Sequence, residues 1–169
     1  PATTTSRGDA LAGFHLRFVG SKELPKSLSD FDVEQSFKLS SEDIAAILER
    51  FRTDGRLGAG LQLVVLRATG RPLDRATYIP RALLKSLCQA LGLSETAIGS
   101  LKTIYERRST LYEHQKWARG WAGISDMDDA VLAELAMSLD ELTKTASSVD
   151  DLVQSAEHWL FDHRYLLPA

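Results

Sequence analysis

Apolar residues recur three and four positions apart along most of the chain, and no segment sustains period-two alternation between hairpin turns. This pattern confines the chain to helices that each bury one stripe. Phe31, Val33 and Phe37 mark a short helix. Ser40, with Asp43 three residues on, caps the next one, whose stripe is Ile44, Ile47, Leu48 and Phe51. Asp54-Gly55 is expected to stop it. Leu57, Leu61, Val64, Val65 and Ala68 follow, ended by Gly70 and Pro72. Pro80 is placed at the first position of a helix that buries Leu83, Leu84, Leu87, Cys88 and Leu91 and stops at Gly92. Ser94 caps a short helix through Ile98 and Leu101. Thr110 and Glu113 form a T-x-x-E capping box, expected to open a helix with Leu111, His114, Trp117, Ala118 and Trp121 inward. Asp126 is expected to cap a helix burying Val131, Leu135, Leu139 and Leu142. Ser148 caps the last helix, with Leu152, Val153, Ala156, Trp159, Leu160 and His163 at helical spacing.

The expected fold is therefore all-α, with seven or eight helices in two packed helix-turn-helix-like modules. Residues 1–27 are expected to be a flexible N-terminal arm, with Phe14, Leu16, Phe18 and Val19 as an apolar exception. Residues 28–91 form the first module and residues 92–169 the second. A chain of 169 residues, 44% of them hydrophobic, can bury enough surface to fold without a metal or disulfide. Its one cysteine, Cys88, excludes an internal disulfide framework, and no Cys/His cluster has zinc spacing. No apolar run approaches a membrane span of about 20 residues, and no leader-like apolar stretch follows Pro1. These features lead to the expectation of a cytoplasmic protein with no cofactor, no metal and no membrane partner.

The net charge of −3 argues against nucleic acid, but its distribution does not. Residues 41–119 carry thirteen basic and eight acidic side chains, whereas residues 120–169 carry two basic and ten acidic ones. A basic middle beside an acidic end suits a charged partner for the middle, although an unevenly solvated surface would look the same.

Enzymatic motifs are absent: no G-x-S-x-G, H-E-x-x-H, P-loop or G-x-G-x-x-G occurs. Cys88, on an apolar helix face, reads as a buried inert thiol, and His114, beside Leu111 and Trp117, as a core histidine. His158 and His163 are five apart and poorly placed for a metal on one helical face. Asp128-Asp129 and Asp150-Asp151 sit in first turns, where carboxylates favour the helix dipole. Trp117, Trp121 and Trp159 fall on inward stripes, whereas stacking on nucleic acid would need them exposed.

The basic residues carry more information. Arg56 precedes the Leu57 stripe, and Arg67, Arg71 and Arg75 follow along its end. Lys102, Arg107, Arg108, Lys116 and Arg119 surround the capping-box helix. Cations around a helix N-terminus suit phosphate, because the free N–H groups and the dipole already favour anions. Short helices joined by tight turns suit helix-turn-helix geometry. The residues alone leave DNA binding and a helical protein-interaction module both open.

The stretch from Arg56 to Arg67, RLGAGLQLVVLR, resembles the R-L-G-x-x-x-Q-L-x-x-L-R motif near the N-terminus of Tn-three family transposases. Phe37-x-Leu39-Ser40 upstream and Gly70 downstream fall where that family has them. Glu106-Arg107, then Thr110, Glu113 and His114, resemble its E-R-x-x-T-R-R-E-H segment, and Leu166-Leu167-Pro168 resembles its closing I/L-L-P. Leu111 and Tyr112 stand where the family has paired arginines, so any phosphate contact there is lost. Arg108 is placed to compensate.

The resemblance covers about Leu28 to Ala169. It implies a non-catalytic, N-terminal DNA-binding segment in which two tandem helical modules, residues 28–91 and 92–169, both bind DNA at the transposon end, with the DDE catalytic domain lying far downstream of it. Its partners would be double-stranded DNA at transposon terminal inverted repeats and the downstream transposase domains. The residues expected to touch DNA are Arg56, Gln62, Arg67, Arg107, Arg108, Lys116 and Arg119, with Gln62 as an adenine reader. The acidic end, repelled by phosphate, is expected to face away. The alternative is a helical protein-interaction or regulatory module that does not bind DNA.

Overall fold

Four of the eight helices found among the described residues begin at a serine or aspartate whose side chain accepts a first-turn N–H. These are Ser29, Ser40, Asp128 and Ser148. The computed structural model describes residues 16–74 and 77–169. Its helices are α1 (Asp30–Ser36), α2 (Ser41–Arg50), α3 (Thr53–Thr69), α4 (Arg81–Ala90), α5 (Thr96–Tyr105), α6 (Arg108–Ala122), α7 (Asp129–Leu142) and α8 (Val149–Asp162). The all-α expectation holds. The only extended pairing among the described residues is one isolated bridge between Ser125 and Tyr165.

Several boundaries differ from the sequence expectation, for local reasons. The Ser40–Asp43 capping box forms in full. Asp54-Gly55, by contrast, does not stop α2. The chain turns earlier, at Phe51-Arg52, and Asp54 lies in the first turn of α3. Thr110 and Glu113 make no capping box, because α6 already starts at Arg108 with Arg107 as its N-cap. Glu113 pairs instead with Arg50 of α2 at 2.8 Å. Asp128, not Asp126, caps α7, and Asp126 pairs with Arg119 at 2.7 Å. Pro80 is the N-cap of α4 rather than its first residue.

The core is built around α3. Every residue from Leu57 to Thr69 except Arg67 is buried. This helix needs no polar face because α2, α4, α5 and α6 all pack on it. Small residues at 58–60 let its neighbours approach closely. A Cβ on Gly58 would lie 2.8 Å from His114 Nδ1 and 2.8 Å from the Tyr105 hydroxyl. The apolar core runs without a break from Phe18 to Ala122, across Leu91-Gly92, where the two expected modules meet. A smaller cluster of Val131, Leu160 and Leu167 lies under α7 and α8.

Part of the expected arm is packed. Phe18 is buried with its ring 5.1 Å from that of Phe37, and the Gly20 N–H donates to Thr69 O at 2.9 Å. Phe14, the other end of that apolar exception, lies outside the described residues. Arg71, just beyond α3, clasps three segments. Its guanidinium donates to Gly20 O at 3.1 Å, to Glu157 of α8 at 2.9 Å, and to Pro168 O. The Leu167 N–H donates to Gly70 O at 3.1 Å, so the chain's last residues close on the C-terminal end of α3.

Candidate nucleic-acid interface

Three of the residues expected to touch DNA are engaged inside the fold. Gln62 is completely buried. Its Nε2 donates to Leu73 O at 2.9 Å and its Oε1 accepts from Leu73 N–H at 3.1 Å. Both ends of the amide thus hold one backbone unit, and neither is available to an adenine edge. Arg56 donates to Phe51 O at 3.0 Å and to Leu48 O at 3.3 Å, serving the open carbonyls at the end of α2. Arg67 grips Asp43 with both guanidinium ends, at 2.5 and 2.9 Å. Trp121 Nε1 and the Ser40 N–H donate to the same carboxylate, each at 2.8 Å. Burial alone would raise the Asp43 pKa. The Arg67 bonds, the Trp121 and Ser40 bonds and the Arg67 charge outweigh it and hold the group well below the usual carboxylate range. The motif Arg56–Arg67 is therefore a scaffold: it fastens α3 to α2, to Leu73 and, through Gly58, to α5 and α6.

The remaining expected residues lie on the surface. Arg107, Arg108 and Lys116 are exposed and form no ion pair among the described residues. Arg119 is half-exposed and paired with Asp126, while its buried Nε has no partner among the described residues. The helices α5 and α6 are joined by the two residues Glu106-Arg107. The second of them carries Arg108, Tyr112, Glu113, Lys116 and Gly120 on an outward face. Leu111, at one lost arginine position, is buried, whereas Tyr112, at the other, projects into solvent at 66% exposure.

A polar cleft of about 530 Å³ opens beside this face, lined by Arg50, Arg52, Asp54, Arg107, Glu113 and His114, among others. It lies where α3 and α6 both begin, and neither helix has a side-chain cap. The Arg50–Glu113 pair separates it from a second depression of about 490 Å³ lined by Lys116, Trp117, Gly120 and Trp121. The Trp117 and Trp121 rings stack at 6.2 Å, and Trp121 is exposed, contrary to the inward placement expected for it. The reason is Asp43, which captures the indole N–H at the edge of α2 and leaves a ring face to solvent. Arg50 and Arg52 were not singled out in the sequence. The signal for Arg52 was two helix starts, at Arg52 and Arg107, that lack a Ser or Asp cap.

His114 forms the floor of the cleft. It is buried, with its Nδ1 3.1 Å from the Tyr105 hydroxyl, which donates to Gly58 O at 2.9 Å. Burial pushes its pKa below the ordinary imidazole value. Glu113 and Asp54 draw it up, and Arg50 pushes it down. It is a core histidine, as expected, but one that also lines a cavity.

The acidic segment meets the rest of the fold at the opposite end of α3. There Phe161, Arg164 and Tyr165 border Gly70 and Arg67. Among the described residues no helix is long and apolar enough to cross a membrane, and no group of three side chains is placed to hold a metal.

Residues 21–169 match the family described as Domain of unknown function (DUF4158). The chain belongs to this family. It is 31% identical over 158 residues to the transposase for insertion sequence element IS1071 in transposon Tn5271 of Comamonas testosteroni, covering 93% of the chain and 16% of that protein. It is 29% identical over 136 residues to the transposase for transposon Tn1546 of Enterococcus faecium, covering 79% of the chain and 13% of that protein. The DUF4158 chain thus spans about one sixth or less of the length of these relatives, and its resemblance to the N-terminal region of Tn-three family transposases holds.

Proposed function

We propose that this DUF4158 domain is the end-recognition segment of a transposase. It binds duplex DNA at transposon terminal inverted repeats and leaves strand cutting to domains outside it. One observation carries this reading: Arg52, Lys102, Arg107, Arg108 and Lys116 have no ion-pair partner among the described residues, and they surround the α5–α6 turn and the starts of α3 and α6. The other cations of the middle segment with described side chains are engaged elsewhere, by Asp43, Glu95, Glu113, Asp126, Glu157 or the backbone. Desolvating the free cations costs nothing in lost pairs, so phosphates are their natural partners.

In this reading α6 is the helix presented to a groove, with Arg108, Tyr112 and Lys116 toward the duplex. Residues 28–91 act mainly as scaffold and add Arg52, and residues 92–169 carry the other four free cations. The α7–α8 hairpin, acidic and far from the cleft, also exposes Leu132, Met137, Val149 and Val153. These side chains suit packing against the downstream transposase domains.

Fluorescence anisotropy with an inverted-repeat duplex and a scrambled duplex, at several salt concentrations, tests the proposal. Five phosphate contacts give a log–log salt slope of about −4 to −5. The inverted-repeat duplex should bind at least about a thousandfold more tightly than the scrambled one. Equal weak binding to both, or none, would overturn it.

A further inference from the structure

The cleft between the starts of α3 and α6 has the features of a seat for one anion. Three arginines, Arg50, Arg52 and Arg107, line it against two carboxylates, Asp54 and Glu113. The Arg50–Glu113 pair cancels internally, so Arg52 and Arg107 face Asp54 with one positive charge in surplus. Each uncapped helix start adds the equivalent of roughly half a positive charge and open N–H donors at its first two positions, the third being held by the Arg52 or Arg107 carbonyl. Both starts border the same cavity.

A buried group points to what the cavity takes. His114 is only 2% exposed. The Tyr105 hydroxyl gives its proton to Gly58 O, so its oxygen is left to accept from Nδ1–H. That assigns the neutral tautomer with a bare lone pair on Nε2. Nε2 makes no hydrogen bond among the described residues and lies at the Gly55 side of the ring, 3.4 Å from where a Cβ on that glycine would sit. Gly55 itself lines the cleft. The unpaired Nε2 of an otherwise buried histidine therefore meets a cavity whose other groups favour an anion.

We propose that a phosphate group of the DNA backbone seats in this cleft, held by Arg52, Arg107 and the open first turns of α3 and α6, and that His114 Nε2 takes up a proton from solvent as the phosphate arrives. The proposal rests on the DNA-binding reading and adds to it a defined contact with a proton linkage. The charged and titratable groups around His114 are Arg50 of α2, Arg52, Asp54 of α3, Tyr105 of α5, Arg107, and Glu113 of α6. In the free protein burial holds the ring below its ordinary imidazole pKa. An anion beside Nε2 favours the charged ring. Affinity then rises as pH falls between the free and bound titration points of His114, by up to about tenfold per pH unit.

Imidazole nitrogen NMR on the whole chain, titrated separately with the inverted-repeat duplex and with inorganic phosphate, reads the Nε2 state directly in the unaltered protein. The duplex should move the His114 Nε2 signal from the unprotonated to the protonated range. Arg107→Gln, a surface change, should abolish most of that movement and reduce the salt slope by about one unit. His114→Gln should flatten the pH dependence of affinity. Duplex binding with an unmoved Nε2 signal and an unchanged Arg107→Gln slope overturns the seat and leaves the DNA reading standing. A response to inorganic phosphate without any duplex binding supports the seat and overturns the DNA reading. No response to either ligand overturns both.

Discussion

Replacing Gln62 separates a structural role from a recognition role, because the two predict different readouts. Gln62→Met keeps roughly the side-chain volume and removes both hydrogen bonds to Leu73. Leu73 O keeps the Gln115 Nε2 donor at 3.0 Å, so that loss is about 0.5–1.5 kcal/mol. The Leu73 N–H has no other acceptor among the described residues, and leaving it unsatisfied costs about 1–3 kcal/mol. Burying a thioether in place of an amide recovers about 1 kcal/mol. The net is about 1–3 kcal/mol, which for a chain of this size lowers the melting temperature by roughly 3–10 °C. Gln62→Ala adds a cavity and should fall further. Thermal denaturation followed by circular dichroism measures the first quantity, and anisotropy at 20 °C, well below the transition, measures the second. We expect both variants to melt early while keeping the parent's preference between inverted-repeat and scrambled duplexes. If Gln62→Met melts within about one degree of the parent and loses that preference, Gln62 reads a base and the scaffold assignment is wrong.

Further outcomes follow from the same geometry. Gly58→Ala should destabilise by about 1–3 kcal/mol in urea denaturation, because its Cβ would press on His114 and Tyr105. Gly120→Ala, where a Cβ meets open space, should instead stabilise by up to about 1 kcal/mol. His114, held below its ordinary pKa of 6.5, contributes stability that is full above 6.5 and is lost as pH falls toward its folded value. His114→Gln should remove that part of the pH dependence in urea midpoints. Lys116→Ala should weaken duplex binding and reduce the salt slope by about one unit, whereas Lys144→Ala, whose ammonium pairs with Glu141, should change neither. Arg119→Ala should affect the slope less than Lys116→Ala, because Asp126 already holds its guanidinium.

Helix content was legible because stripes and caps are local. Ser40 and Ser148 cap where their sequence neighbourhood says they should. Thr110–Glu113 and Asp126 failed because each acid is taken by an ion-pair partner outside its own capping motif. Glu113 met Arg50 from another helix, and the α5–α6 turn started its helix before the box could form. The cations show the same limit. Arg56, Arg67 and Lys116 are indistinguishable in the sequence, and only tertiary contacts decide which of them remains free. The motif with the clearest resemblance, Arg56–Arg67, proved to be the buried spine. It fastens helices together, which requires fixed residues at fixed spacing. The cleft was the least legible part, because it is assembled from α2, α3, α5 and α6 and no one segment announces it.

The placement of the acidic hairpin leads to a last prediction. The cleft lies at the start of α3, and α7–α8 joins the fold at its other end, through Phe161, Leu167 and the Arg71–Glu157 pair. A 17-residue helix is about 25 Å long. At 0.15 M salt the screening length is about 8 Å, so a duplex in the cleft is shielded from carboxylates that far away. At 0.01 M it is about 30 Å, and the repulsion is felt. The log–log salt plot should therefore be steep at physiological salt and flatten toward low salt. Neutralising Glu134, Asp140 and Asp150 together (Glu134→Gln, Asp140→Asn, Asp150→Asn) tests this, since all three are exposed. The triple variant should match the parent's duplex affinity at about 0.15 M and exceed it at about 0.01 M. A gain of the same size at both salt concentrations would mean that the hairpin lies within a few ångströms of the DNA, and the assignment of opposite ends of α3 to opposite tasks would have to be abandoned.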